Sequence, residues 1–115
     1  MSVLFQAKQK FDRVRPSYLD TTLTTLIEVP GHESYPSGHA SQTYTIAFVL
    51  EAITATSSEL FIQDAARISF NREIAGVHYP SDSSAGKILA REVVNRLLAE
   101  PDFKALIDSA RLEWK

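Results

Sequence analysis

A chain of 115 residues has room for one hydrophobic core and no second domain. Its 44% apolar content excludes a disordered chain, and a formal charge of −2 argues against nucleic acid as the main partner, because phosphate-backbone binding carries a basic excess. The absence of cysteine excludes disulfides, thiol nucleophiles and thiolate-bound metal.

The N-terminal MSVLFQAKQK holds too short an apolar run for a signal peptide, and no cleavage site follows it. The longest mostly apolar stretch, residues 44–55, contains Glu51 and falls short of the roughly 20 residues a membrane span needs. The chain therefore reads as soluble, with no membrane span. A chain this short buries a smaller share of its surface than a larger domain, so a homo-oligomer is expected if its helices carry more apolar face than one core can hide.

Residues 2 to about 14 place Val3, Leu4, Ala7 and Phe11 at helical spacing, with Lys8 and Lys10 among them. Arg15-Pro16 ends this first helix, since a residue before proline is pushed out of the α region. Residues 16–36 carry turn signals at Pro30-Gly31 and Tyr35-Pro36 and read as a long loop with a short helix at 21–28. Loops of that length inside a small domain are usually functional.

A second helix is expected from Ser37 to about Ala55, with Ala40, Tyr44, Ala47 and Leu50 on one face. Ile46, Val49 and Ile53 widen the stripe, which makes this the central, largely buried helix. Ser57 or Ser58 caps a third, with Phe61, Ala65 and Ile68 on one face. Gly76 loosens its end and Pro80 forbids continuation, so His78 falls in the connection. A fourth helix begins near Asp82 and runs to about Ala99, repeating Ala85, Leu89, Val93 and Leu97. Glu100-Pro101 separates it from a short last helix at 102–114. No strand pattern appears. The expected class is all-α, a compact bundle of four to five helices forming a single domain.

Three clusters carry chemistry. The first is Lys8 with Arg15-Pro16, whose ordinary reading is a solvated basic face. The second is Pro36-Ser37-Gly38-His39. A serine and glycine opening a helix offer free N–H groups and the positive end of the dipole to an anion, beside which His39 could donate a proton; the plain alternative is a capped helix start. The third is Arg72, His78 and Asp82. In the functional reading Asp82 fixes the tautomer of His78 and leaves the other ring nitrogen free to attack phosphorus, while Arg72 neutralises phosphate oxygens. In the plain reading Asp82 is an N-cap, His78 a satisfied loop histidine and Arg72 a surface residue.

In this order, KQKFDRVRP, PSGH and NREIAGVHYPSD resemble the signature of the type-2 phosphatidic acid phosphatase superfamily, which includes bacterial class A acid phosphatases and vanadium haloperoxidases. The motifs span Lys8 to Asp82, about two-thirds of the chain. The resemblance implies the core of that helical fold without its N-terminal helices. It implies that Lys8, Arg15 and Arg72 hold phosphate oxygens, and that Ser37 and Gly38 add hydroxyl and backbone donors. His78 is then the nucleophile that forms a phosphohistidine, Asp82 orients it, and His39 protonates the leaving alcohol and later activates water. No metal is implied for a phosphatase; in a haloperoxidase the pocket holds vanadate, with His78 as its ligand.

Two departures stand out. Asn71 occupies a position where the family usually has serine, and Lys8 lies almost at the N-terminus, where the family has preceding helices. The chain then reads as a fragment or as one whose partner completes its packing. Three functions remain open: a metal-independent phosphomonoesterase for small, soluble phosphate esters, a vanadium-dependent haloperoxidase, and a non-catalytic phosphate-binding domain. His32 is expected to be a solvated loop histidine rather than a lining of the entrance. Tyr18, Tyr35 and Tyr79 are expected in core packing rather than in an aromatic wall, and Trp114 as an anchor for the last helix or an oligomer contact.

Overall fold

The computed structural model describes residues 2–54 and 56–114. Helix α1 spans Val3–Phe11, with Ser2 Oγ accepting from Phe5 N at 3.3 Å as its cap. Asp12 ends it in the left-handed region at φ 48°. Arg15 is extended, as a residue before proline must be, and Pro16 opens α2, the single turn Pro16–Leu19.

The helix expected at 21–28 does not form; the only helical turn in this loop is α2. The reason is local. Asp20 Oδ1 accepts from both the N–H and the hydroxyl of Thr22, at 3.0 and 2.6 Å, a bond that competes with helix continuation. Thr21, Thr22, Thr24 and Thr25 add β-branched cost, while Pro16 supplies a preformed start upstream.

Helix α3 spans Gly38–Ile53, α4 spans Ser58–Ile74, α5 spans Pro80–Ala99 and α6 spans Pro101–Glu113. The expected end of the second helix at Ala55 lies outside the described residues. Among the described residues no strand occurs, and the all-α class holds. No described helix is long and apolar enough to cross a membrane. Gly76, at φ 84°, turns the chain after α4, a conformation only glycine takes without strain. Helix α5 begins two residues before Asp82: Tyr79 is the N-cap, Pro80 the first helical residue, and Asp82 closes a capping box by accepting from Tyr79 N at 2.9 Å.

The core gathers Ala40, Tyr44, Ala47 and Phe48 of α3, Ala65 of α4, and Ala90 and Val94 of α5. The buried face of α5 is therefore Asp82–Gly86–Ala90–Val94, one position on from the expected Ala85–Leu89–Val93–Leu97 stripe, whose members are only half-buried. Small residues decide this. A Cβ at Gly86 would lie 2.7 Å from Ala40 Cβ and 2.9 Å from both Ser37 O and Ser41 N, so α3 and α5 cross in near backbone contact there. Farther along the pair, the Arg91 guanidinium lies 3.6 Å from the centre of the Phe48 ring and meets Glu51 at 3.1 Å.

Helix α3 carries apolar residues on more than one face, but α4 and α5 cover only part of them. Ile46 is thus 61% exposed, contrary to the expectation of burial, and lines an apolar groove of about 580 Å³ between α1, α3 and α5. Likewise Ile68 is partly exposed, and the inner face of α4 is Phe61, Ile62, Ala65 and Ser69. Trp114 packs edge-on against Phe61, anchoring the end of α6, and Arg111 Nε donates to Ala52 O at 2.7 Å near the end of α3.

The Gly86 contact yields a direct test. Gly86→Val forces the α3–α5 crossing apart and is expected to cost about 1–3 kcal/mol, as overpacked cores do. Thermal unfolding followed by circular dichroism checks it; an unchanged Tm would mean the two helices separate freely.

Candidate active site

The start of α3, the last turn of α4 and the connection into α5 converge with the loop after α1 on a cavity of about 150 Å³. Arg15, His32, Gly38, His39, Arg72 and His78 line it. Gly38, His39, Arg15, Arg72 and His78 were expected at one site from the sequence; the fold brings them together from four separate segments.

His78 is buried, with Nδ1 2.9 Å from Asp82 Oδ2. A carboxylate only accepts, so Nδ1 carries the proton and Nε2 carries the lone pair. Arg15 demands the same tautomer from the other side, because its Nη1, a donor only, lies 2.9 Å from Nε2. Burial holds His78 below its ordinary pKa despite the Asp82 hydrogen bond, and the Arg15 and Lys8 charges push the same way. The ring is therefore neutral at neutral pH.

Asp82 is fully buried. Burial alone would raise its pKa, but hydrogen bonds from His78, Ser34 Oγ, Tyr79 N and Arg13 overturn that and hold it ionised, below the usual carboxylate range. Its backbone carbonyl also accepts from Ser37 N at 3.0 Å, joining the starts of α5 and α3.

The three expected phosphate-binding cations differ in what they already hold. Arg15, 1% exposed, has all five N–H donors engaged: His32 O (3.0 Å), Val77 O (3.0 Å), His78 Nε2 (2.9 Å), His32 Nδ1 (3.2 Å) and Glu33 O (3.3 Å). Lys8 is fully buried behind the loop, where Nζ donates to Glu33 O at 2.7 Å, and it does not line the cavity. Burial, then the Arg15 charge, lowers Lys8 to about 8 against the opposing pull of Asp82 and Glu33. The Arg72 side chain makes no hydrogen bond or ion pair among the described residues, and its Nε is buried without a partner. It is the cation with donors to spare.

Ser37 is buried and points its oxygen to its own helix, accepting from Ala40 N at 3.2 Å. With that N–H taken, the first-turn N–H groups of Gly38 and His39 remain, and both residues line the cavity. His39 is lowered in pKa by partial desolvation first and by the Arg72 and Arg15 charges second.

Sequence reasoning missed three contributors. Arg13 pairs with Asp82 Oδ1 at 2.8 Å, and Ser34 donates to Oδ2; neither stands in a pattern that singles it out. His32 is exposed, as expected, yet it also lines the cavity, with its ring edge-on to Phe5 and its Nδ1 3.2 Å from Arg15 Nη2 and 3.3 Å from Glu33 O. Tyr18 is 66% exposed, while Tyr35 and Tyr79 flank the Arg13 guanidinium at 4.6 and 5.1 Å, so none of the three sits in the core as expected. Among the described residues, no three His, Asp or Glu side chains converge as a metal site.

These features define an all-helical protein with a cavity lined by two arginines, one histidine of fixed tautomer and a second histidine across the cavity. The sequence model of the PAP2 superfamily matches residues 1–98, and the chain belongs to that superfamily. It is 30% identical over 112 residues to a non-specific acid phosphatase of Providencia stuartii, covering 94% of this chain and 45% of that protein. It is 28% identical over 113 residues to an acid phosphatase of Zymomonas mobilis, covering 94% of this chain and 42% of that one. The chain spans less than half the length of these relatives.

Arg72 separates anion binding from folding. Because its side chain holds nothing in place, Arg72→Ala is expected to leave stability within about 1 kcal/mol of the parent. The rise in Tm on adding inorganic phosphate should shrink, reflecting about a 10- to 100-fold loss of affinity for one charged contact. Differential scanning calorimetry with and without phosphate measures both; an undiminished phosphate effect would remove Arg72 from the site.

Proposed function

We propose that this chain is a phosphomonoesterase that works through a phosphohistidine on His78. The observation that carries this reading is the tautomer of His78: Asp82 holds Nδ1–H, and the Nε2 lone pair belongs to a ring that lines the cavity. The likeness to two acid phosphatases supports it.

The chemistry follows from the donors. The phosphoryl group of a small ester meets the free donors first, those of Arg72 and the N–H groups of Gly38 and His39. One phosphate oxygen then takes the Arg15 Nη1 donor away from Nε2, which frees the lone pair. Nε2 attacks phosphorus in line as the ester P–O bond breaks, and protonated His39 gives its proton to the leaving alkoxide. The imidazolium that results is balanced by Asp82. Neutral His39 next takes a proton from water, whose oxygen attacks phosphorus as the P–N bond breaks. Inorganic phosphate leaves and His78 is restored.

Charge on the equatorial oxygens is met by Arg72 and Arg15, with Lys8 adding positive potential from behind the loop, so the cycle calls on no metal ion. Vanadate, with the shape of the transferring phosphoryl group, fits the same donors: His78 Nε2 would be its ligand, Arg15 and Arg72 would hold its oxygens, and it would supply peroxide activation there.

Hydrolysis of an aryl phosphate in excess chelator tests the reading. The wild type is expected to turn over, and His78→Ala to lose about a thousand-fold or more. Turnover that disappears with chelator, or survives in His78→Ala, would overturn it. Halide oxidation by peroxide that requires added vanadate would point to a haloperoxidase instead.

The pH profile carries a second expectation. His78 must be neutral to attack, and burial lowers its pKa, so the rising limb of kcat/KM should lie below pH 6.5. His39 must be protonated, and a bound phosphoryl anion favours that form. The falling limb of kcat should therefore lie at higher pH than that of kcat/KM; coincident limbs would take the general-acid role away from His39.

A further inference from the structure

We propose that Arg13 is a positioning residue for this reaction, setting the orientation of Asp82 and through it the basicity of His78. The inference rests on the phosphohistidine reading for its catalytic meaning, and on geometry for its substance.

Arg13 lies between the first two residues of the basic cluster, yet it does not line the cavity that holds Arg15 and Arg72. Its Nη1 instead donates to Asp82 Oδ1 at 2.8 Å and to Ser81 Oγ at 2.7 Å. The two carboxylate oxygens have separate tasks. Oδ2 receives His78 Nδ1, Ser34 Oγ and Tyr79 N, and Oδ1 receives Arg13. Without Arg13, Oδ1 keeps no partner of those four, and the carboxylate can rock about its Cβ–Cγ bond while Ser34 Oγ and Tyr79 N still hold Oδ2 beside Nδ1.

The guanidinium is itself held. Its carbon stands 4.6 Å from the centre of the Tyr35 ring and 5.1 Å from that of Tyr79, between aromatic residues of two different segments. Phe11 packs edge-on against Tyr35 at 4.9 Å, so the end of α1 backs the clamp. The Arg13 carbonyl accepts from Ser34 N at 2.9 Å, so the same residue also positions the serine that donates to Oδ2. An arginine serving only as a surface ion pair needs none of this framing.

Electrostatics gives the sign of the effect. His78 is faced by Asp82 on its Nδ1 side and by Arg15 on its Nε2 side, with Lys8 acting on it from α1. His39 and Arg72 share its cavity from α3 and α4, as does His32 from the loop, and Glu33 lies beside Lys8 and Arg15. Among these, Arg13 is the cation bound directly to Asp82. It withdraws part of the carboxylate's pull on the imidazolium. Removing it strengthens that pull, and because Ser34 Oγ and Tyr79 N keep Oδ2 beside Nδ1, His78 becomes more basic.

The experiment is a proton NMR titration of the His78 ring in wild type, Arg13→Gln and Arg13→Lys, alongside kcat and KM for an aryl phosphate. In Arg13→Gln the His78 pKa is expected to rise by about half a unit to one unit. The rising limb of kcat/KM should move by the same amount, and kcat should fall about 10-fold with KM nearly unchanged. Arg13→Lys keeps the charge and should return most of the titration shift. An unmoved His78 titration in both variants, with only Tm lowered, would overturn the proposal and leave Arg13 as a clamp between loops. The titration needs no turnover, so an inactive wild type would count against the phosphatase reading and leave the Arg13 result standing on its own.

Discussion

Asp82 is the group on which the rest of the structure depends. One carboxylate, fully buried, gathers donors from the segment after α1 (Arg13), the long loop (Ser34), and the connection into α5 (His78 and Tyr79). Its backbone carbonyl adds the start of α3 through Ser37 N. A buried charge is tolerated only when paired and hydrogen-bonded, so each of these segments must arrive in place for the carboxylate to remain ionised. Folding and the fixing of the His78 tautomer are thus linked, and the residue that closes the capping box of α5 is the residue that chooses that tautomer.

The cations around the cavity divide their work in a way that follows from donor counting. Arg15 spends its five donors on four residues and so welds the loop at 32–33 to the connection at 77–78. Lys8 holds the same loop through Glu33 O. Both hold the loop in place, and both keep positive charge beside the cavity. Arg72 has an unpartnered buried nitrogen, an arrangement that costs stability unless an anion completes it. That unpartnered donor, beside a cavity lined by two arginines, is what the phosphatase proposal draws on.

Helix packing sets how closely these parts approach. Gly86 and Ala90 let α5 lie almost on the backbone of α3, which brings Ser37–His39 and His78–Asp82 to the same end of the pair. The groove beside Ile46, between α1, α3 and α5, shows that α3 carries more apolar surface than its described neighbours cover.

Much of this was legible in the residues. The 3.6-residue periods and the proline and glycine breaks located α1 and α3 to α6 to within a few residues, because those signals act through local backbone sterics. The three motifs named the residues that share the cavity, since their chemistry depends on side-chain type. The helix at 21–28 was misread because two Asp20 side-chain bonds to Thr22 outweighed weak propensity. The face of α5 was misread by one position because period alone cannot tell a Leu stripe from a Gly–Ala stripe when backbone contact is the better packing. The sequence by itself determined the class of fold and the identities of His39, Arg72, His78 and Asp82 as a set. Only the tertiary structure decided that Arg13, Ser34 and His32 join them, that Ser37 turns inward, and that Arg15 and Lys8 are already bound. These depend on distances between segments as many as 69 residues apart, and no local rule carries that information.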